Sequence, residues 1–273
     1  MKKRIYSTIL LWAFLFFVLF FGRIIGCFCL LLAASALTQH EFYQLLKQAK
    51  YQPDVLSGIL LGTCLPMGCA FTNLTIGELL TLIVIISSLL ASFKRSLQFV
   101  QQSLIPTLVG VIYIPFMLSF VVKFVQNYPQ FATSQAVATV FLLIAISKFS
   151  DVGALLIGCQ FGHHKLMPSF SPNKTFEGLL GGVAASTIIG ITGFLVFKHY
   201  LVPQLTITNV TILSIILSLV SPLGDIIESA TKRIAGVKDS GHIIPGIGGI
   251  LDLMDSLIFS LPLGVTLLSH GIL

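Results

Sequence analysis

The chain has 273 residues, of which 55% are hydrophobic and only 10% charged, with mean hydropathy +0.97 and formal charge +6. Soluble domains carry about 25% charged residues, so this composition excludes a water-soluble globule. The cations stand singly or in pairs between apolar runs, a distribution that argues against nucleic-acid binding.

Apolar runs of membrane-crossing length recur along the whole chain. They predict an all-α polytopic membrane protein of nine spans, near 5–22, 24–39, 54–71, 75–92, 104–124, 134–150, 177–198, 207–227 and 253–271. We divide them into N-terminal membrane helices, 1–130, and a C-terminal set, 131–273, that carries the site. The opening MKKR and its apolar run lack a small-residue cleavage site, so a retained first helix is expected rather than a signal peptide. Only Gly22-Arg23 separates the first two spans, which predicts a tight hairpin. The second continues into HEFYQLLKQAK, an amphipathic extension. Pro66 and Gly68 in the third span, and Pro106 and Pro115 in the fifth, are breaks that neighbouring helices can compensate.

With the N-terminus in the cytoplasm and every span crossing, thirteen of the sixteen Lys and Arg residues fall inside. Only Arg23, Lys123 and Lys198 fall outside, which is the asymmetry that the positive-inside rule expects. The same count puts the two long polar connections, 148–177 and 228–252, on the cytoplasmic side. The five cysteines form no CxxC pair and read as buried structural thiols.

In the first polar connection, Ser171-Pro172-Asn173-Lys174-Thr175 reads as a turn into a helix capped by Asn173 or Thr175, with Lys174 a phosphate-facing cation. Asp151 is the one acid near that end of the sixth span. His163 and His164 are adjacent, so they point in different directions and read as a solvated pair rather than metal ligands. The second connection lies in the stretch 221–256, where Asp225, Glu228, Asp239, Asp252 and Asp255 supply half of the ten acids. Asp225, Glu228 or Ser229, and Lys232 share one helix face by their spacing, and Asp252 and Asp255 share another. Carboxylates converging from two helix ends suit Mg²⁺, which takes one or two Asp plus phosphate oxygens. Gly246, Gly248 and Gly249 allow close backbone approach, and the N-terminus of the following helix offers amides to a phosphate. Ordinary interfacial salt bridges would account for Glu228 and Lys232 alone. They account less well for three aspartates at membrane-helix ends, where charge is costly.

These residues resemble the phosphatidate cytidylyltransferases, or CDP-diacylglycerol synthases. The family signature S-x-x-K-R-x4-K-D-x5-P-G-H-G-G-x-x-D-R-x-D is matched by Ser229, Lys232, Arg233, Lys238, Asp239, Pro245, Gly246, Gly248, Gly249, Asp252 and Asp255. Gly224-Asp225 with Glu228-Ser229 is similar to its GDxxES element, Ser171 to Gly178 to its SPxKTxEG, Asp151 to Ala154 to its DTGA, and Glu41-Phe42-Tyr43 to its EFYxL. Ile247, Leu253, Val152 and Ser169 depart from the family's His, Arg, Thr and Arg.

The resemblance implies transfer of a cytidylyl group from CTP to phosphatidic acid at the inner leaflet of the cell membrane, with the site facing the cytoplasm. It implies Mg²⁺ on Asp225, Asp252 and Asp255, with room for a second cation. Asp239 and Lys238 are further catalytic candidates. Lys174, Ser171, Ser229, Lys232, Arg233, Gly246, Gly248 and Gly249 are implied to hold phosphates. A homodimer is left open. The competing readings are a relative without catalysis or with an altered substrate, and a transporter. A transporter would place its acids at span centres and show an internal repeat.

Overall fold

The structure is a computed structural model that describes residues 2–72, 75–94, 97–126, 133–167, 171–237, 239–241, 243–244 and 248–272. Lys238 and Gly246, and with them His242, Pro245, Ile247 and Ser169, lie outside the described residues. Among the described residues, six helices are long and apolar enough to cross a membrane, and two shorter apolar helices, Val55–Phe71 and Ile76–Ser87, accompany them. The chain is therefore an all-α integral membrane protein.

Helix α1 (Lys2–Gln48) holds the first two predicted spans, broken at Arg23, whose φ of 48° and ψ of −131° are not helical. A Cβ on Gly26 would lie 2.4 Å from the Val18 carbonyl oxygen, a closeness that residues eight apart reach only where the chain doubles back. The hairpin is there, and its turn sits on Arg23. The second arm closes with Lys50 at φ 68°, where the Lys50 and Tyr51 amides bond back to Lys47 and Leu46. Helix α2 (Val55–Phe71) runs unbroken through Pro66, and α3 (Ile76–Lys94) follows. The fifth predicted span is segmented into α4 (Leu97–Phe99), α5 (Ile105–Val111) and α6 (Met117–Gln126), joined by π-helical turns over 100–104 and 112–116. Pro106 opens α5 and Pro115 lies in the second turn, so the wider backbone pitch absorbs both missing N–H groups.

Helix α7 (Thr133–Phe161) leads to a small antiparallel hairpin, β1 (Lys165–Met167) with β2 (Ser171–Thr175), which the apolar pattern does not predict. Then come α8 (Phe176–Phe197), α9 (Ile207–Ile234) and α10 (Leu251–Ser269). Thr175 is the N-cap of α8, its hydroxyl accepting from the Gly178 amide at 3.1 Å. Helices α7 and α8 meet through small residues, with Gly153 against Ala185 and Gly181 against Ile157, as close membrane packing requires. Consequently the ends of α7 and α9 and the starts of α8 and α10 gather at one end of the bundle.

Candidate active site

Six carboxylates and three lysines from five elements meet at that end, in two groups. The inner group joins α7, β2, α9 and α10. Asp225 Oδ2 accepts from Lys174 Nζ at 2.7 Å, and the same ammonium donates to the Pro222 carbonyl at 3.1 Å. The Asp225 and Asp255 carboxyl groups lie within hydrogen-bonding reach of each other. Asp255 is 10% exposed and sits 3.6 Å from Lys148 Nζ, which is 3.7 Å from Asp151 Oδ2 and donates to Ser256 Oγ at 2.7 Å. Ser221 donates to the other Asp151 oxygen at 2.9 Å. The two helices can approach this closely because Gly224 lies on the Asp255 carbonyl. A Cβ there would come within 1.8 Å of that oxygen.

The outer group is centred on Asp252. Its Oδ1 accepts from Lys232 Nζ at 2.7 Å, and its Oδ2 from Ser240 Oγ and the Gly249 amide, each at 2.7 Å. Lys232 also pairs with Glu228 at 2.9 Å, one turn back on α9. Beside them Glu41, 4% exposed, accepts from the Leu251 amide at 2.8 Å and lies 3.5 Å from Ser240 Oγ. Two residues on, the Tyr43 hydroxyl donates to the Thr107 carbonyl at 2.7 Å and accepts from Gln39. Glu41 and Tyr43 lie about 200° apart around the helix, so α1 is clamped to α10 on one side and to α5 on the other.

The prediction that Asp225 and Asp255 converge is met, and Asp252 stands in the neighbouring group instead of beside them. Among the described residues, no three carboxylate, histidine or cysteine side chains already enclose a metal-sized position. The expectation that the start of α10 offers free amides to a phosphate is corrected. The Gly249 and Leu251 amides hold the protein's own Asp252 and Glu41. Gly248, at φ 130°, packs on Asp252, and Gly249 packs on Glu41 and Ser240. Asp239 and Arg233 are exposed, and Ser229 is half-buried on α9. Ser171 lies on β2, and its side chain is outside the described residues. His163 and His164 do not join the acids. Their amides and the His164 ring bond to Glu177, fastening the hairpin to the first turn of α8.

Sequence reasoning did not assign Glu41, Lys148, Ser221, Ser240 or Ser256 to this site, and noted Asp151 without a role. The signal for Lys148 and Asp151 was present. A cation and an acid three apart in an otherwise apolar span share one face and are too costly there without partners. Ser240 and Ser256 carry no such signal.

An all-helical membrane body that gathers lysines and carboxylates from five elements defines a membrane protein with a charged site. Residues 2–270 match the cytidylyltransferase family model, and the chain belongs to that family. It is 33% identical to the phosphatidate cytidylyltransferase of Staphylococcus haemolyticus strain JCSC1435, over 96% of this chain and 97% of that one. It is 32% identical, with the same coverage, to the phosphatidate cytidylyltransferase of Staphylococcus saprophyticus. With that of Staphylococcus aureus strain COL it shares 49% identity over 114 residues, 42% of each chain.

Proposed function

We propose that this protein transfers the cytidylyl group of CTP to phosphatidic acid, giving CDP-diacylglycerol and pyrophosphate for phospholipid synthesis. Family membership and full-length similarity to phosphatidate cytidylyltransferases support the reaction. The observation that carries the site is the convergence of Asp225, Asp255 and Asp151 on Lys148 and Lys174 where α7, β2, α9 and α10 meet. A phosphate oxygen of phosphatidic acid attacks the α-phosphorus of CTP, and the bond from that phosphorus to the β-phosphate bridging oxygen breaks, so pyrophosphate leaves. The protein's task is positioning and charge neutralisation rather than covalent catalysis.

Within this reading Lys174 and Lys232 face phosphates, assisted by Arg233 and Lys238. Counting Glu41, six carboxyl groups face three ammoniums, so two polyanionic substrates need added cations. The oxygen-only donor set of Asp225, Asp255 and Asp151, with the Ser221 and Ser256 hydroxyls beside it, fits Mg²⁺. Bound there, Mg²⁺ would polarise phosphoryl oxygens and screen their charge. Asp252 is already engaged by Lys232, Ser240 and the Gly249 amide, so it serves first to hold Ser240 and Gly249 against α9. The nine-span topology, with a cytoplasmic N-terminus and the site at the cytoplasmic face of the cell membrane, completes the proposal. Its support is the charge asymmetry of the sequence.

The test is pyrophosphate release by detergent-purified protein given CTP, phosphatidic acid and Mg²⁺, with each component omitted in turn. Release that persists without phosphatidic acid, or no release from the complete mixture, would sink the reading.

A further inference from the structure

We propose that Lys148 is a built-in cation of the inner site, and that its ammonium stands where a second divalent ion would otherwise bind. The inference rests on the metal reading above and specifies how many ions the site takes. Lys148 Nζ lies 3.7 Å from Asp151 Oδ2 and 3.6 Å from Asp255 Oδ1, and it donates to Ser256 Oγ at 2.7 Å. It bridges two carboxylates almost symmetrically while bonding tightly to neither. Contrast Lys174, which closes to 2.7 Å on Asp225 and takes the Pro222 carbonyl as well. Lys232 likewise closes to 2.7 Å on Asp252. Lys232 also holds Glu228 at 2.9 Å, so both of these lysines bond their acids directly, whereas Lys148 stands between its two acids as a shared counter-ion.

Its origin supports the same role. Lys148 projects from within α7, a helix long and apolar enough to span a membrane. An ammonium there is costly unless it does electrostatic work. That work is visible. Asp151 follows one turn on along α7, Asp225 comes from α9 and Asp255 from α10, and without Lys148 these three carboxylates would face Lys174 alone. A fixed monovalent charge lowers the affinity for a further divalent ion in the same group. At about 4 Å and an effective dielectric of about 20, one unit charge changes an ion's binding by well over tenfold.

The experiment measures metal rather than turnover. Mn²⁺ binding to the purified full chain, without substrates, is followed by electron paramagnetic resonance of free Mn²⁺, together with the melting temperature at each Mn²⁺ concentration. Lys148→Met keeps the apolar stem and removes the charge. It is expected to bind one more Mn²⁺ than the parent, or to bind it at least about tenfold more tightly. Its melting temperature should also rise more on Mn²⁺ addition, because a ligand stabilises the state that binds it. Lys148→Arg should keep the parent's count. Adding Asp151→Asn to Lys148→Met should cancel the gain.

An unchanged count and affinity in Lys148→Met, with Mn²⁺ binding still lost in Asp255→Asn, would overturn the role of Lys148 alone. Failure of both the parent and Lys148→Met to bind Mn²⁺ would overturn the metal reading and this inference with it. A Lys148→Met protein that cannot be recovered even with Mn²⁺ present throughout also overturns it, since the divalent ion should replace the ammonium.

Discussion

The two acid groups at the end of this bundle are built from similar residues and differ in how much of their bonding comes from the backbone. In the outer group, both Asp252 oxygens are engaged, by a lysine on one side and a hydroxyl and a backbone amide on the other. Glu41 there accepts a second amide at the start of α10. In the inner group, Asp255 accepts the adjacent Ser256 amide at 2.6 Å, but Asp225 and Asp255 lie against each other and are balanced mainly by ammoniums on flexible stems. Backbone amides cannot leave without unfolding a turn, whereas lysines can swing away. The difference teaches that two signature aspartates one turn apart need not share a role, since Asp252 latches a loop and Asp255 faces the inner lysine.

The comparison is tested most severely at Asp255. Replacing it by Asn should remove the inner group's charge while preserving its shape, lowering Mg²⁺-dependent turnover by about a thousandfold, as for loss of a principal electrostatic group. The check is a kcat measurement together with an unchanged melting temperature. Substantial residual activity would make Asp255 a latch as well.

Next comes Gly224→Ala. The added methyl would meet the Asp255 carbonyl, which is backbone and cannot rotate aside, so α9 and α10 must separate. Overpacking of this kind costs about 1–3 kcal/mol or more. Both the melting temperature and turnover should fall, because the inner group depends on that approach.

A smaller effect is expected at Glu41. Glu41→Ala should leave the Leu251 amide unpaired and lower stability by about 1–3 kcal/mol. Glu41→Gln, which can still accept that bond, should recover most of it. Hydrogen exchange of the 239–252 segment should quicken in Glu41→Ala while Mn²⁺ binding by the inner group persists. Loss of Mn²⁺ binding would merge the two groups into one.

The smallest is Thr175→Ala at the α8 cap, expected to cost about 1 kcal/mol. It should shift Lys174 slightly and raise KM for CTP more than it lowers kcat. A kcat effect alone would mean that Lys174 takes part in bond making rather than in binding.

Much of this was legible in the residues. Segment length and apolarity gave the apolar helices, Gly22-Arg23 gave the hairpin, and the Asn173-to-Thr175 turn gave the cap to within two residues, because each depends on local chain physics. The crowding of acids in 221–256 gave the neighbourhood of the site. The spacing of Asp252 and Asp255 suggested two equivalent ligands, since a helix sets them on one face. It could not show that one turns toward Ser240 and Lys232 and the other toward Lys148. The β1–β2 hairpin escaped notice because its short polar strands follow no apolar alternation.

Sequence alone thus determined that the chain lives in a membrane, where its helices begin, and which residues carry charge near their ends. These follow from solvation and from neighbours a few positions apart. Tertiary structure decided which charges meet. Glu41 reaches Leu251 across 210 residues, and Lys148 reaches Ser256 across 108. Such pairings depend on how helices pack sideways, and that is fixed by the summed fit of many small and apolar side chains rather than by any local pattern.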